Sequence, residues 1–454
     1  MSRWIAFLTA GIVVATGVVR VPSATATEPT AAERGRKALI ETPFIPAFWS
    51  VGSIESAWKQ WENTTAKPAD YDAAFRERYG LNVAPYPNGD LPMGLRKARY
   101  FIGQGVGIDC MLCHGGSIMG QSYLGLGNST LDAHALFQEL AWANGLRAKL
   151  PFSYCNARGT NEAGGFAVFL LGYRNPDLTL RTPRKPLGLH DDLCEDVPAW
   201  WLMKKKRTMY FTGATDARSV RSLMQFMMHP LTTRDEFDKA EPAFRDVLAF
   251  LTSLEPPKYP FAIDSAKAAR GRETFNATCT RCHGTYGESW TYPNKVIPLA
   301  EIGTDPSRHR GIEPAFGKEY SESWFGQEKS GWFMSGSPLR MTPGYQAPPL
   351  DGVWATAPYL HNGSLPTLQD VLNSKARPTI FTRSFKTDEE AYDKTKVGWK
   401  VTVLEKPADP TLPPIARRKV YDTTQPGRSN AGHTYGDHLT DAERAEVMEY
   451  LKTL

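Results

Sequence analysis

Two pentapeptides in this chain have the residue types and spacing for covalent cofactor chemistry: Cys110-Met111-Leu112-Cys113-His114 and Cys279-Thr280-Arg281-Cys282-His283. Both read C-x-x-C-H. Two thiols one helical turn apart can add across the vinyl groups of a haem to form thioethers, and the adjacent imidazole can then sit beneath the iron as its proximal ligand. A structural zinc site would need further ligand pairs at matching spacing. A reducible thiol pair has no use for the neighbouring histidine. The pattern predicts two covalently bound haem c groups, attached at Cys110, Cys113, Cys279 and Cys282, with His114 and His283 on the irons. Of the six cysteines, Cys155 and Cys194 remain. In an oxidising compartment they are expected to pair, and a disulfide closing about 40 residues would contribute about 4 kcal/mol on a chain-entropy argument. The alternative is two buried thiols.

The beginning of the chain agrees with this chemistry. Met1-Ser2-Arg3, the apolar run Trp4 to Val19 and Ala24-Thr25-Ala26 are the three parts of a secretory signal peptide. The apolar run is about 16 residues, short for a bilayer span, and Arg20-Val21-Pro22 breaks it. Cleavage after Ala26 is expected, giving a periplasmic protein, and no later segment is long and apolar enough to span a membrane. The 454 residues allow two or three domains with a large core. The formal charge of +5 falls to +3 when Arg3 and Arg20 leave with residues 1–26, which contain no Asp or Glu. No nucleic-acid partner is expected from that balance, and no general pull toward anionic membrane follows. The 12 Trp, 18 Tyr and 21 Phe suit a protein wrapped around flat apolar cofactors, and 38 Gly with 34 Pro imply long irregular connections.

The elements that must position the motifs follow a diverged repeat. Val247-Leu248-Ala249-Phe250-Leu251-Thr252-Ser253-Leu254 matches Val447-Met448-Glu449-Tyr450-Leu451-Lys452-Thr453-Leu454 in its apolar positions. Thr440-Asp441-Ala442-Glu443 is a capping-box start for the second of these helices. Pro256-Pro257 ends the first and marks a linker. Ser265 to Phe275, with Ala268, Gly271 and Phe275 on one face, predicts a helix leading into Cys279. Helix, C-x-x-C-H, long loops and terminal helix form the plan of a class I cytochrome c domain. The expected fold is mainly α with extensive loops: two class I-like cytochrome c domains in tandem, 91–257 and 258–454, behind an aromatic- and proline-rich extension, 27–90. A second repeat lies inside the domains. Pro198-Ala199-Trp200-Trp201 before Tyr210-Phe211-Thr212-Gly213 parallels Pro349-Leu350-Asp351-Gly352-Val353-Trp354 before Tyr359-Leu360-His361-Asn362-Gly363, with Thr212 in the place of His361.

The second half resembles the bacterial di-haem cytochrome c peroxidase superfamily, and within it the rubber-oxygenase-like branch. The residues that carry the resemblance are Cys279 to Gly287, Tyr292 to Arg308 and Ala347 to Leu368. The first half is similar mainly at its haem motif and at Pro198 to Gly213. The resemblance implies that His361, in Tyr-Leu-His-Asn-Gly, is the sixth ligand of the second haem. The methionine that serves the peroxidases about 14 residues later is absent, because Lys375 stands there. Met341 is the rival. For the first haem no histidine aligns with His361. Met224, Met227 and Met228 fall near the peroxidase-type methionine position, with Met227 the chosen ligand and core packing its alternative. His134, His190, His229 and Met119 are further candidates, and an open iron is the remaining possibility.

Three other features carry chemistry or packing. Trp200-Trp201 could pass electrons between haems or pack a haem edge. Glu162 could serve as a distal acid or be a solvated carboxylate. Lys204-Lys205-Lys206-Arg207 could steer an acidic partner or form a solvated face. The expected function is that of an exported di-haem c-type cytochrome, binding haem and transferring electrons with a small redox protein or a quinol-derived electron source. The alternative is a peroxide- or dioxygen-activating oxidoreductase with the first haem as its active site.

Overall fold

The computed structural model describes Met1, residues 28–328 and residues 339–454. The expected signal segment lies outside the described residues. Four helices set the frame: α1 (Ala31–Glu41), α2 (Arg234–Ser253), α3 (Ser265–Thr278) and α4 (Asp441–Leu451). Each begins at a side-chain cap. Thr30 with Glu33, Thr233 with Glu236 and Thr440 with Glu443 form reciprocal capping boxes, and Asp264 accepts from the Lys267 N–H. Such a cap is worth about 1 kcal/mol of helix stability.

The helices pack in two like pairs, α1 on α2 and α3 on α4. Each pair meets at a glycine. A Cβ on Gly35 would lie 1.9 Å from the Asp246 carbonyl oxygen, and one on Gly271 would lie 1.9 Å from that of Glu446. Beside these crossings Arg34 reaches Asp246 at 2.8 Å and Arg270 reaches Glu446 at 2.5 Å. Arg34-Gly35-Arg36 and Arg270-Gly271-Arg272 are thus one packing device used twice. Residues 28–90 do not stand apart as an extension, because the first of their helices, α1, is the partner of α2.

The chain is mixed rather than mainly α. Among the described residues, fourteen short strands, none longer than five residues, form six small sheets. Strands this short carry too few alternations to register as a period-two pattern.

After its C-x-x-C-H motif each half places a short helix with a side-chain N-cap, Val220–Met224 behind Ser219 and Leu368–Leu372 behind Thr367. From there the halves diverge. The first reaches the N-cap Thr233 through residues 225–232, whereas the second spends residues 373–439 before Thr440. The longer segment includes a three-stranded sheet of Thr402–Val403, Ile380–Thr382 and Val420–Asp422. It folds against the first half, where Arg418 pairs with the buried Asp132 at 2.9 Å. The apolar core around the second motif, with Phe275, Trp354, Trp399 and Val447, also takes in Ile118, Leu126 and Trp201 from the first half.

Candidate haem-binding sites

Both motifs are short helical turns, Met111–His114 and Thr280–His283. The His114 N–H bonds the Cys110 carbonyl at 3.0 Å, and the His283 N–H bonds that of Cys279 at 3.0 Å. One turn of helix therefore brings both thiols and the imidazole of each motif together. The first turn is anchored by Asp109, whose carboxylate accepts from the Met111 N–H at 2.9 Å and pairs with the buried Arg96 at 2.8 Å. The second continues directly from α3, with the Cys279 N–H bonded to the Phe275 carbonyl at 2.8 Å. Burial pushes the thiols of Cys110 and Cys113 up to about 12 and that of Cys279 up to about 11. Among the described residues no group of three or more His, Cys, Asp or Glu side chains is arranged to hold a bare metal ion.

The second motif opens into a cavity of about 1630 Å³, mouth included, lined by Cys279, Cys282, His283, His361, His433 and mostly apolar side chains. His283 Nδ1 lies 2.7 Å from the Pro348 carbonyl. A donated Nδ1–H there fixes the ring and leaves Nε2 as the ligating atom, the arrangement a proximal histidine needs. The ring centroid of His433 lies 6.3 Å from that of His283, with 62° between the planes. Two metal–imidazole bonds of about 2 Å each, plus the ring radii, put opposed histidine centroids about 6 Å apart. Nδ1 of His433 is buried without a hydrogen-bond partner, and burial pulls its pKa down to about 4. Two thiols, a hydrogen-bonded imidazole, a facing neutral imidazole and apolar walls fit a covalently attached haem.

The loop carrying His433 is held firmly. Arg377 donates to the carbonyls of Asn430 (2.6 Å), Gly432 (2.7 Å) and His433 (3.1 Å). The His433 N–H bonds the Ile302 carbonyl at 2.8 Å. At Gly432, φ is +77° and a Cβ would lie 2.3 Å from the Gly303 carbonyl carbon, so only glycine lets the loop run there. His433 itself adopts φ +47°, a left-handed conformation that its neighbours must enforce. Sequence reasoning missed this residue. Gly432 before a histidine was the available signal, and the segment lies 150 residues beyond His283.

His361 also lines the cavity. Its ring stacks on Tyr345 at 4.1 Å and 20°, its Nε2 is buried without a partner, and burial pulls its pKa down to about 3. Met341 is exposed and lines a different cavity, with Glu195 and Arg308.

The first motif is built differently. The His114 ring stacks on Trp200 at 4.6 Å and 22°. Its Nδ1 is buried near the Pro198 carbonyl but completes no hydrogen bond. Met224, Met227 and Met228 pack in an apolar cluster with Phe237, Phe244 and Trp324, whereas Met111 and Trp200 belong to another. That placement is the core-packing alternative for Met227. The other candidates are engaged elsewhere: His134 Nδ1 accepts from the Tyr154 N–H, His190 lies 2.8 Å from Glu313, and His229 Nδ1 accepts from the Leu231 N–H. The segment that supplies His433 has no counterpart in the first half.

Trp201 sits in the shared core and its Nε1–H donates to the Asp351 carbonyl at 2.8 Å. Glu162 is buried, not solvated. It accepts from the N–H groups of Leu193 (3.0 Å) and Cys194 (2.7 Å) and from Asn156 (2.8 Å). Burial, reinforced by Glu195, pushes its pKa up to about 8. The lysine run is not a free solvated face: Lys204 pairs with Glu255, Lys205 with Asp351, and Lys206 is buried. Cys155 and Cys194 are free, buried thiols, which corrects the expected disulfide. Each has its own acceptor, the Ala157 carbonyl at 3.0 Å for Cys155 and the Thr160 hydroxyl at 3.3 Å for Cys194.

The chain is 30% identical over 300 residues to the uncharacterized protein y4iM of Sinorhizobium fredii (strain NBRC 101917 / NGR234), a match covering 57% of this chain and 64% of that protein. It is 28% identical over 264 residues to the uncharacterized protein y4iJ of the same strain, covering 45% of this chain and 42% of that one. The chain thus spans less than two thirds of the length of the curated relatives it matches. Residues 344–382, which contain His361 and the Tyr345 ring stacked on it, match the family described as RoxA-like, cytochrome c-like, and this links the chain to the haem-binding cytochromes c.

Proposed function

We propose that the chain is an exported, periplasmic c-type cytochrome that carries two covalent haems and transfers electrons, drawing them from a small redox protein or a quinol-derived source. The observation that carries this reading is the 6.3 Å separation of His283 and His433 across a cavity that also holds Cys279 and Cys282. A haem held there would supply one-electron redox chemistry. His283, steadied by the Pro348 carbonyl, and His433, held by Arg377, would cap it from both sides. His361 then serves as a buried wall residue against Tyr345 in place of the expected ligand role. Two imidazole ligands give a lower potential than a histidine–methionine pair. Tandem cytochrome c units account for the repeated helix pairs and their matched glycines.

A second reading, activation of peroxide or dioxygen at the first site, is favoured by one observation. The first half reaches its terminal helix through residues 225–232 and has no segment corresponding to the one that bears His433. The methionines that remain nearby are packed in core. His114 would therefore be the one protein ligand there, leaving the opposite side accessible to a small molecule.

Electron paramagnetic resonance of the oxidised protein, with and without cyanide, tests both readings. The expected result is one low-spin signal indifferent to cyanide and one high-spin signal near g of about 6 that cyanide abolishes. His433→Ala should make the second haem high-spin and cyanide-sensitive, whereas His361→Ala should leave it low-spin. The reverse outcome would return the ligand role to His361, and two low-spin signals in the wild type would remove the enzyme reading.

A further inference from the structure

Away from both motifs, the hairpin of Leu95–Arg99 and Gln104–Ile108 ends in Tyr100-Phe101-Ile102-Gly103. The turn is closed by the Tyr100 N–H bonding the Gly103 carbonyl at 3.1 Å. At its tip Phe101 and Ile102 are 73% and 92% exposed. Asn144 Nδ2 donates to the Tyr100 hydroxyl at 2.9 Å, and the loop after Asn144 presents Leu146, 60% exposed. Asn144 Oδ1 accepts from the Ser50 N–H and the Ser53 hydroxyl, so both loops stand on fixed backbone.

A lone exposed apolar side chain is ordinary on a protein surface. Three large ones on two loops tied side by side are not, and they remain costly unless something covers them. The charges carried by the two loops and the hairpin strands themselves have one sign. Residues 95–108 and 144–150 contain Arg96, Lys97, Arg99, Arg147 and Lys149 and no Asp or Glu. Arg96 is buried on Asp109 and Arg99 pairs with Glu236. Lys97 and Lys149 are exposed, and Arg147, also exposed, leans on the neutral amide of Gln60 at 3.1 Å. A narrow apolar tip with a basic collar suits a surface that can be penetrated and is negatively charged, better than the flat, packed face of a folded partner.

We propose that this tip anchors the protein to a lipid bilayer bearing anionic headgroups. Phe101, Ile102 and Leu146 enter the boundary between headgroups and acyl chains, while Lys97, Arg147 and Lys149 meet the lipid phosphates. The attachment is peripheral and reversible, and it is independent of the haem chemistry.

Sedimentation of the haem-loaded protein, as processed by its host, with vesicles of phosphatidylcholine alone or with added phosphatidylglycerol tests this. The wild type should bind the anionic vesicles, and salt should weaken that binding. The pair Phe101→Ser/Ile102→Ser should bind roughly tenfold more weakly or worse, with an unchanged visible spectrum and unfolding midpoint as proof that it folds. The triple Lys97→Gln/Arg147→Gln/Lys149→Gln should lose the preference for anionic lipid. Failure of the wild type to bind, or binding that the serine pair leaves intact, overturns the proposal. So does wild-type self-association in sedimentation velocity that the serine pair abolishes without any vesicle binding, because the tip would then meet a second copy of the chain.

Discussion

Gly271→Ala probes the helix crossing on which the second site rests. The new Cβ would lie 1.9 Å from the Glu446 carbonyl oxygen, 2.3 Å from its carbon and 2.8 Å from the Val447 nitrogen. All three are backbone atoms, so no side chain can swing aside. Restoring ordinary contact requires α3 and α4 to part by roughly 1.5 Å at the crossing, against a normal separation of about 3.5 Å. That movement loosens Phe275, Val447, Tyr450 and Leu451, which pack together in the surrounding core. Overpacking of this kind costs about 1–3 kcal/mol and sometimes more, and the backbone clash places it at the upper end. Alanine returns about 1 kcal/mol through its higher helix propensity. The expected net loss is about 2 kcal/mol. Urea unfolding followed by near-ultraviolet circular dichroism and by haem absorbance should show a lower midpoint with an unchanged slope. Gly35→Ala should behave likewise, since its Cβ meets the Asp246 carbonyl oxygen at the same 1.9 Å. A Gly271→Ala protein as stable as the wild type, or more so, would refute the close crossing and with it the structural equivalence of the two helix pairs.

Two other predictions concern buried groups. Glu162 has its pKa raised from 4.5 to about 8, so the folded protein holds a proton there that the unfolded chain releases. Its contribution is full below about pH 4.5 and is lost as pH rises through about 8. Stability of Glu162→Gln relative to the wild type should therefore increase with pH across that window, and parallel pH profiles would contradict the raised pKa. Denaturation in iodoacetamide without reductant should label both Cys155 and Cys194, as expected of free thiols; protection of both until a reductant is added would restore the disulfide.

What the sequence disclosed was local. The helix expected over Ser265 to Phe275 runs from Ser265 to Thr278, and the capping box at Thr440 starts α4. The prolines after Leu254 follow the end of α2. These features depend on residues within a turn or two of one another. The features that were missed depend on contacts across the chain. Arg34-Gly35-Arg36 repeats Arg270-Gly271-Arg272 in plain letters, but its meaning emerges only when α1 is seen against α2, some 200 residues later. The expected disulfide rested on the count of cysteines, which says nothing about the acceptors that keep the two thiols apart. His433 reaches His283 because a long segment folds back and Arg377 holds it there; neither motif spacing nor the family resemblance pointed to it.

The two adjacent tryptophans have a consequence for how the sites can move. Trp200 lies flat on the His114 imidazole, while Trp201 is built into the core of the second site. Consecutive Cα atoms are about 3.8 Å apart whatever the fold does. The gap between the two centres is thus gauged by covalent bonds, like marks on a rule, and not by a seam that can breathe. Any swing of one half against the other would pull an indole out of its seat, so a change at one centre must reach the other through a frame of constant length.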